Sequence, residues 1–146
     1  MTIKKPVELL LVDDSMDDIF LTKEALKDNG IILSMNEVYD GEQALKYMRA
    51  EAPYENRHLP DLILLDINMP KKNGLEVLKE LKEDDRFKHI PIIILTTSRD
   101  DEEIMSAYKH HCACFVSKPM TFDGLQDIVK SLDFFWLTLV TFPKED

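Results

Sequence analysis

The sequence is poor in cysteine, in positive charge and in long apolar runs, and each shortage excludes a class of protein. Its two cysteines, Cys112 and Cys114, are too few and too close together for a disulfide framework. Its 28 acidic residues outnumber the 18 basic ones, and the net charge of -10 argues against binding to nucleic-acid phosphates. No apolar run approaches the roughly 20 residues of a membrane span, and the N-terminus lacks the apolar core of a secretion signal. We therefore expect a cytoplasmic protein that binds neither nucleic acid nor membranes.

The sequence does contain short apolar runs that stop abruptly at polar residues. The run 62–65 ends at Asp66, and Pro70 cannot continue a strand, so a loop should follow before the next helix. Further runs predict strands over 8–12, 31–38, 92–95 and 114–116, of which 31–38 is the weakest. Such unbroken apolar strands are typical of parallel sheets buried on both faces.

Apolar residues with helical spacing follow each of these runs. Ser15 and Asn73 suit helix N-caps, whereas residues 51–60 have no convincing period and predict an exposed loop. The alternation of strand and helix predicts one α/β domain over residues 1–146, with a parallel sheet between two layers of helices and a core over about 7–132. The apolar positions that define the five helices are Leu21, Ala25 and Leu26; Ala44, Leu45 and Met48; Leu75, Leu78 and Leu81; Ile104, Ala107 and Tyr108; and Leu125, Ile128, Val129 and Leu132.

Polar side chains that follow the strands should meet, because the carboxyl ends of parallel strands lie at one edge of the sheet. The residues in question are Asp13, Asp14, Asp66, Thr96 and Lys118. Three crowded carboxylates repel one another unless a cation joins them, and an oxygen-only donor set favours Mg²⁺. A carboxylate beside such an ion can attack a phosphoryl group, with a hydroxyl and an ammonium placed for its oxygens. The sequence therefore predicts a site that captures phosphoryl groups.

The same residues resemble the receiver domain of two-component response regulators. The resemblance is carried by Asp13-Asp14, Leu-Leu-Asp66-Ile-Asn-Met-Pro70 with Gly74, Leu-Thr96-Thr97-Ser98 and Ser-Lys118-Pro119, in this order and spacing over nearly the whole chain. It implies a flavodoxin-like, doubly wound (βα)5 fold, a three-layer sandwich with strand order 2-1-3-4-5. It also implies that Asp66 accepts a phosphoryl group from a phosphohistidine on a sensor histidine kinase.

The resemblance also assigns a role to each matching residue. Asp14 and Asp66 would ligate Mg²⁺, or Mn²⁺, together with the backbone carbonyl of Asn68, and Asp13 would act through water. Thr96 and Lys118 would contact the phosphoryl group. Phe115 would turn inward as Thr96 moves, and the Lys118-Pro119 peptide bond would be cis.

Some positions depart from the usual pattern of that family. Thr97 stands where a small residue is common, so we expect slow loss of the phosphoryl group. Asn68 and Ser98, which with Thr97 occupy positions that tune hydrolysis, carry no charge that would hasten or block it. The segment 111–114 replaces a turn that usually contains glycine, which leaves the loop shape there open.

The C-terminal residues 133–146 predict an extended last helix with more apolar surface than one helix face can bury. No output domain is expected, so the output should be binding. The tail and the loop before the third strand resemble those of regulators that serve phytochrome-like kinases, in which the C-terminal region supports dimers. A homodimer is one interpretation, and a tail that folds back onto its own domain is the other. The candidate dimer residues are Phe134, Phe135, Trp136 and Leu139.

Two other functions are consistent with part of this pattern. Phosphatases of the haloacid dehalogenase type also use an aspartate nucleophile after a strand, but they need a second aspartate two residues later, where this chain has Asn68. A receiver-like domain that signals by binding alone would not need phosphorylation. The acidic pocket, Thr96 and Lys118 favour the receiver, which is not expected to be an enzyme in the ordinary sense.

Overall fold

The computed structural model describes residues 7–27, 33–67, 69, 71–96 and 114–117, and strands alternate with helices along them. All five predicted strands are present, whereas the fourth and fifth predicted helices lie outside the described residues. The elements in chain order are β1 (Val7–Val12), α1 (Met16–Lys27), β2 (Leu33–Val38), α2 (Gly41–Met48), β3 (Leu62–Asp66), α3 (Gly74–Glu83), β4 (Ile92–Thr96) and β5 (Cys114–Ser117).

The strands form one five-stranded sheet in the order β2-β1-β3-β4-β5, which confirms the predicted topology. Every neighbouring pair is parallel. The order reverses direction at β1, because the chain first moves outward to β2 and then crosses back to β3. In open parallel sheets the carboxyl edge at such a switch point is where ligands bind.

The central strands β1, β3 and β4 are buried on both faces, which explains their apolar runs, whereas the edge strand β2 contains Ser34, Asn36 and Glu37. Leu10 and Val12 of β1 pack with α2 and α3, whereas Leu9 and Leu11 of the same strand face Ile19 of α1. Each fully buried side chain of this kind contributes about 1.5–3 kcal/mol relative to an exposed one. The described helices therefore lie in two layers with the sheet between them, as expected for a three-layer sandwich.

One residue of the apolar stripe predicted for α1 does not face inward, and the side chains of the other two, Ala25 and Leu26, lie outside what the structure describes. Leu21, which was assigned to the apolar stripe, is 43% exposed, whereas Ile19 and Thr22 are buried. Met16 and Phe20 also point outward, with exposed fractions of 63% and 62%. The prediction was wrong because apolar residues occupy positions 19, 20 and 21 in succession, and three consecutive residues point to different sides of a helix.

Two helices start at the predicted caps, Ser15 and Asn73, and α2 starts at a cap that was not predicted. The Ser15 hydroxyl accepts a hydrogen bond from the Asp18 N–H at 3.3 Å at the start of α1. Asn73 forms a complete capping box with Glu76 at the start of α3. Asp40 caps α2, accepting from the Gln43 N–H at 2.8 Å. None of the helices among the described residues has the length and apolarity needed to cross a membrane.

Residues 51–60 form a mostly exposed loop, as predicted, but Arg57 anchors it to the end of α2. Its guanidinium donates to the Tyr47 carbonyl at 2.9 Å and to the Met48 carbonyl at 2.5 Å. The Tyr47 and Tyr54 rings also pack with their centroids 5.4 Å apart. The loop thus satisfies the last carbonyl groups of the helix, which have no partner within it.

Candidate functional site

The register of the sheet places the two central acidic residues side by side. Val12 pairs with Leu65, so the next residues along β1 and β3 are Asp13 and Asp66. The Asp13 N–H donates to the Val38 carbonyl at 3.2 Å, which extends the pairing of β1 and β2 by one residue. Both aspartates therefore leave the sheet at the same level of its carboxyl edge.

Three carboxylates converge at this edge. Asp13, Asp14 and Asp66 each offer an oxygen atom, and these atoms all lie within 4.8 Å of one another. Asp13 and Asp66 are each 6% exposed, whereas Asp14 is exposed to solvent. The sequence predicted that these three side chains meet, and the structure brings them together.

The separation of the carboxylate oxygens suits a small divalent cation. Mg²⁺ binds oxygen ligands at about 2.0–2.1 Å in an octahedron, so two ligands on one ion lie about 3–4 Å apart. The observed upper limit of 4.8 Å is slightly larger, which leaves room for one carboxylate to act through water. A set of oxygen donors without His or Cys favours Mg²⁺, Ca²⁺ or Mn²⁺ over softer metals. These residues could therefore hold a hard divalent ion.

Local backbone bonds fix the Asp13 side chain. The Ser15 N–H donates to Asp13 Oδ1 at 2.9 Å, and Ser15 itself caps α1. A space of about 10 Å³ lies beside Asp13, lined by apolar side chains that include Leu11, Ile19 and Leu64. This volume admits about one water molecule, so it cannot admit an organic substrate. The hydrogen bond from Ser15 holds the Asp13 carboxylate in place at the carboxyl edge of the sheet.

The backbone that follows Asp66 is held by a glycine whose importance the sequence only partly indicated. Gly74 is the first residue of α3, and its N–H donates to the Ile67 carbonyl at 2.8 Å. A Cβ atom at Gly74 would lie 2.2 Å from the Asp66 carbonyl oxygen. Only glycine allows the helix to start this close to the acidic strand end.

The β3–α3 loop carries two lysines that sequence reasoning did not single out. Lys71 Nζ lies 3.7 Å from the Asp40 carboxylate. Lys72 donates a short hydrogen bond to Glu80, and this bond holds the pKa of the Glu80 carboxyl below its usual range. The loop is thus tied by charge both to the start of α2 and to α3.

The remaining predicted site residues are described only in part or not at all. Thr96 ends β4, one residue beyond the Leu95 that pairs with Asp66, and it pairs with Ser117 of β5. Its backbone therefore reaches the same edge of the sheet. Phe115 lies within β5, opposite Ile94. The other predicted residues lie outside the described residues: Asn68, Thr97, Ser98, Lys118, Pro119, Phe134, Phe135, Trp136 and Leu139.

The chain belongs to the response regulator receiver domain family, whose model matches residues 9–130. It is thus a receiver of two-component signalling, in which sensor histidine kinases phosphorylate an aspartate of the receiver. Members of this class are generally signalling proteins rather than enzymes, and they bind a divalent metal. This agrees with the predicted class and with the acidic edge described above.

The relatives of this chain include small regulators of cyanobacteria. The chain is 38% identical over 138 residues to response regulator Rcp1 of Synechocystis sp., and the match covers 94% of each chain. Among solved structures, the phosphorylated cyanobacterial phytochrome response regulator RcpA is 40% identical, with a TM-score of 0.85 over 96% of this chain and 100% of that one. The Mn²⁺-bound form of Rcp1 is 38% identical, with a TM-score of 0.84 over 95% and 100% of the two chains.

Proposed function

We propose that Asp66 is the phosphoacceptor of this receiver and that a sensor histidine kinase is the donor. The observation that carries the proposal is the convergence of three carboxylates within 4.8 Å, one of them at the end of the central buried strand. Asp66 is 6% exposed, so little of its surface is open to a donor. Such a site suits the transfer of one phosphoryl group to Asp66 better than the binding of a free organic substrate.

In the proposed transfer, a carboxylate oxygen of Asp66 forms a bond to phosphorus. The bond between phosphorus and the imidazole nitrogen of the kinase breaks, and its electron pair stays on that nitrogen. The product is an acyl phosphate on Asp66. Negative charge on the phosphoryl oxygens is then close to the carboxylates of Asp13 and Asp14, so the site needs a compensating positive charge.

We infer that this charge comes from Mg²⁺ and from Lys118. Asp14, Asp66 and the backbone carbonyl of Asn68 would hold the ion, with Asp13 acting through water, and the ion would offset the charge of the transferred group. The Mn²⁺-bound form of the similar Rcp1 supports a divalent ion in this class of site. Thr96 would donate a hydrogen bond to the phosphoryl group, and Phe115 would follow its movement. Lys118-Pro119 in the cis form would place the ammonium.

Labelling with acetyl phosphate tests the acceptor. In the presence of Mg²⁺, intact-mass spectrometry should show one added phosphoryl group on the native chain and none on Asp66→Asn. Asp85→Asn is the matched control, because Asp85 is exposed and pairs only with Lys88 among the interactions seen at the end of α3. Continuous release of phosphate without a stable adduct would favour a phosphatase. Absence of any label would favour a module that acts by binding alone.

We also propose that the donor is a phytochrome-like kinase. The support is the similarity to the cyanobacterial phytochrome response regulator RcpA, which extends over 96% of this chain. Phosphotransfer from a panel of autophosphorylated kinases would test the pairing. Transfer from a phytochrome-type kinase should be faster than transfer from unrelated kinases at equal concentration, and equal rates across the panel would contradict it.

We also propose that the chain forms a homodimer. Residues 133–146 would be an extension of a single receiver domain. The apolar residues Phe134, Phe135, Trp136 and Leu139 offer more apolar area than one helix face buries. Aromatic side chains often carry much of the energy of an interface. Light scattering should give the mass of a dimer for the native chain and a lower mass for Trp136→Ala. A monomeric native chain would contradict the proposal.

A further inference from the structure

The start of α2 contacts the loop that follows the acidic strand. The backbone at Gly41 lies so close to this loop that a Cβ atom would be 2.0 Å from the Lys72 carbonyl oxygen and 2.8 Å from its carbon. Real Cβ atoms do not approach backbone atoms this closely. An added methyl group would therefore require α2 or the loop to move.

The helix is the more firmly held of the two partners. Ala44, Leu45 and Met48 of α2 are buried in the core, and Arg57 closes the far end of the helix. The Asp40 carboxylate caps the near end. A shift of α2 would disturb all of these contacts, so the loop should move instead.

The loop in turn is joined to the end of β3. The Ile67 carbonyl accepts hydrogen bonds from the Met69 N–H at 3.1 Å and from the Gly74 N–H at 2.8 Å. The backbone of Gly74 is packed against the Asp66 carbonyl oxygen. Lys71 has a positive φ of 67°, which a non-glycine residue adopts only when its surroundings hold it there. A displaced loop would therefore displace the backbone around Asp66.

We propose that Gly41 is a positioning residue of the metal site, although it is on a different element and touches no acidic group of that site. Its missing side chain lets the β3–α3 loop rest on α2, and this contact sets where the strand end presents the Asp66 carboxylate. The inference rests on the proposed function, because it takes the three carboxylates to be a divalent-metal site. Changes in groups that support metal ligands typically weaken metal binding by about 10- to 100-fold.

Direct measurement of Mn²⁺ binding tests the proposal. The EPR signal of free Mn²⁺ should show that Gly41→Ala raises the dissociation constant by about tenfold or more. The matched control is Ala44→Gly, which weakens the same helix one turn further on without adding an atom at the loop. A structural effect alone would lower the stability of both variants and leave their Mn²⁺ affinities alike. Affinities of Gly41→Ala and the native chain within about twofold would overturn the proposal.

A second measurement on the native chain covers the case in which Gly41→Ala does not fold. The contacts of Gly41 with Lys72 and of Gly74 with Asp66 join α2 to the acidic edge, so a metal ion bound there should change the surroundings of the Gly41 amide. In ¹H–¹⁵N NMR spectra, Mg²⁺ should shift the Gly41 amide resonance more than that of Ala44. Equal or absent shifts at Gly41, with Mg²⁺ clearly bound, would overturn the proposal. A native chain that binds neither Mg²⁺ nor Mn²⁺ would instead remove the proposed function and this inference with it.

Discussion

Two glycines show that an absent side chain can position a site. Gly41 and Gly74 lie on separate helices, yet each is pressed against backbone of the β3–α3 segment. Both start a helix, where glycine is otherwise a poor choice because it loses more conformational freedom than alanine on folding. Glycine is nevertheless present at both positions because a Cβ atom there would collide with backbone atoms. The position of the acidic edge thus depends on two residues that have no side chain.

Gly74→Ala should destabilise the protein although it improves helix propensity. The gain in propensity is roughly 0.5–1 kcal/mol. The added Cβ, however, would lie 2.2 Å from the Asp66 carbonyl oxygen and 2.7 Å from Ile67 Cα, and neither backbone atom can rotate away. Overpacking of this kind costs about 1–3 kcal/mol, so the net change in the free energy of unfolding should be a loss.

Urea unfolding followed by circular dichroism measures this change. Lys79→Ala, an exposed substitution on the same helix, should stay within about 0.5 kcal/mol of the native chain and serves as the control. A Gly74→Ala variant that unfolds at the same or a higher urea concentration would show that the helix can shift by the needed distance. The close approach would then not be a constraint on the sequence.

At the scale of elements, strands were easier to predict than helix faces. The central strands are short apolar runs that stop at polar residues, so their positions and burial follow from the same pattern, whereas the edge strand β2 contains polar residues and gave the weakest signal. Leu21 of α1 was assigned to the core wrongly because Ile19, Phe20 and Leu21 are all apolar, and periodicity cannot choose among them. Their burial is decided by packing against Leu9 and Leu11 of β1, which is a tertiary contact.

The candidate site was predictable to the extent that it depends on strand ends. Asp13 and Asp66 meet because β1 and β3 are neighbours, and the order of the strands was implied by the resemblance to receiver domains. The supporting contacts were not predictable, because they join loops to helices that are distant in sequence. Arg57 is an example: one arginine in a polar loop gave no sign that it would bind the last carbonyls of α2.

At the scale of the whole molecule, the fold brings acidic side chains together at one edge of the sheet. The chain has a formal net charge of -10, and three of its acidic groups converge at one edge of the sheet. At an effective dielectric constant of about 20, two like charges about 4 Å apart repel by about 4 kcal/mol. A cation at that edge should therefore stabilise the folded state, in which the carboxylates are together, over the unfolded state, in which they are apart.

Removal of divalent metal should accordingly lower the stability of the native chain. A ligand that binds only the folded state adds RT ln(1 + [L]/Kd), which is about 2.7 kcal/mol at a concentration of about 100 times Kd. Urea unfolding with Mg²⁺, compared with EDTA at matched ionic strength, should show a gain of this order once the site is saturated. NaCl at the same ionic strength accounts for general screening of the negative charge.

The Asp66→Asn variant separates site binding from screening. It removes one of the three carboxylates, so its gain from Mg²⁺ should be clearly smaller than that of the native chain, whereas its response to NaCl should be the same. Asp85→Asn removes an equal charge from an exposed position at the end of α3 and should keep the full gain. Equal gains in all three proteins would mean that Mg²⁺ acts only through the overall charge. The acidic edge would then not be a metal site, even though its carboxylates lie close together.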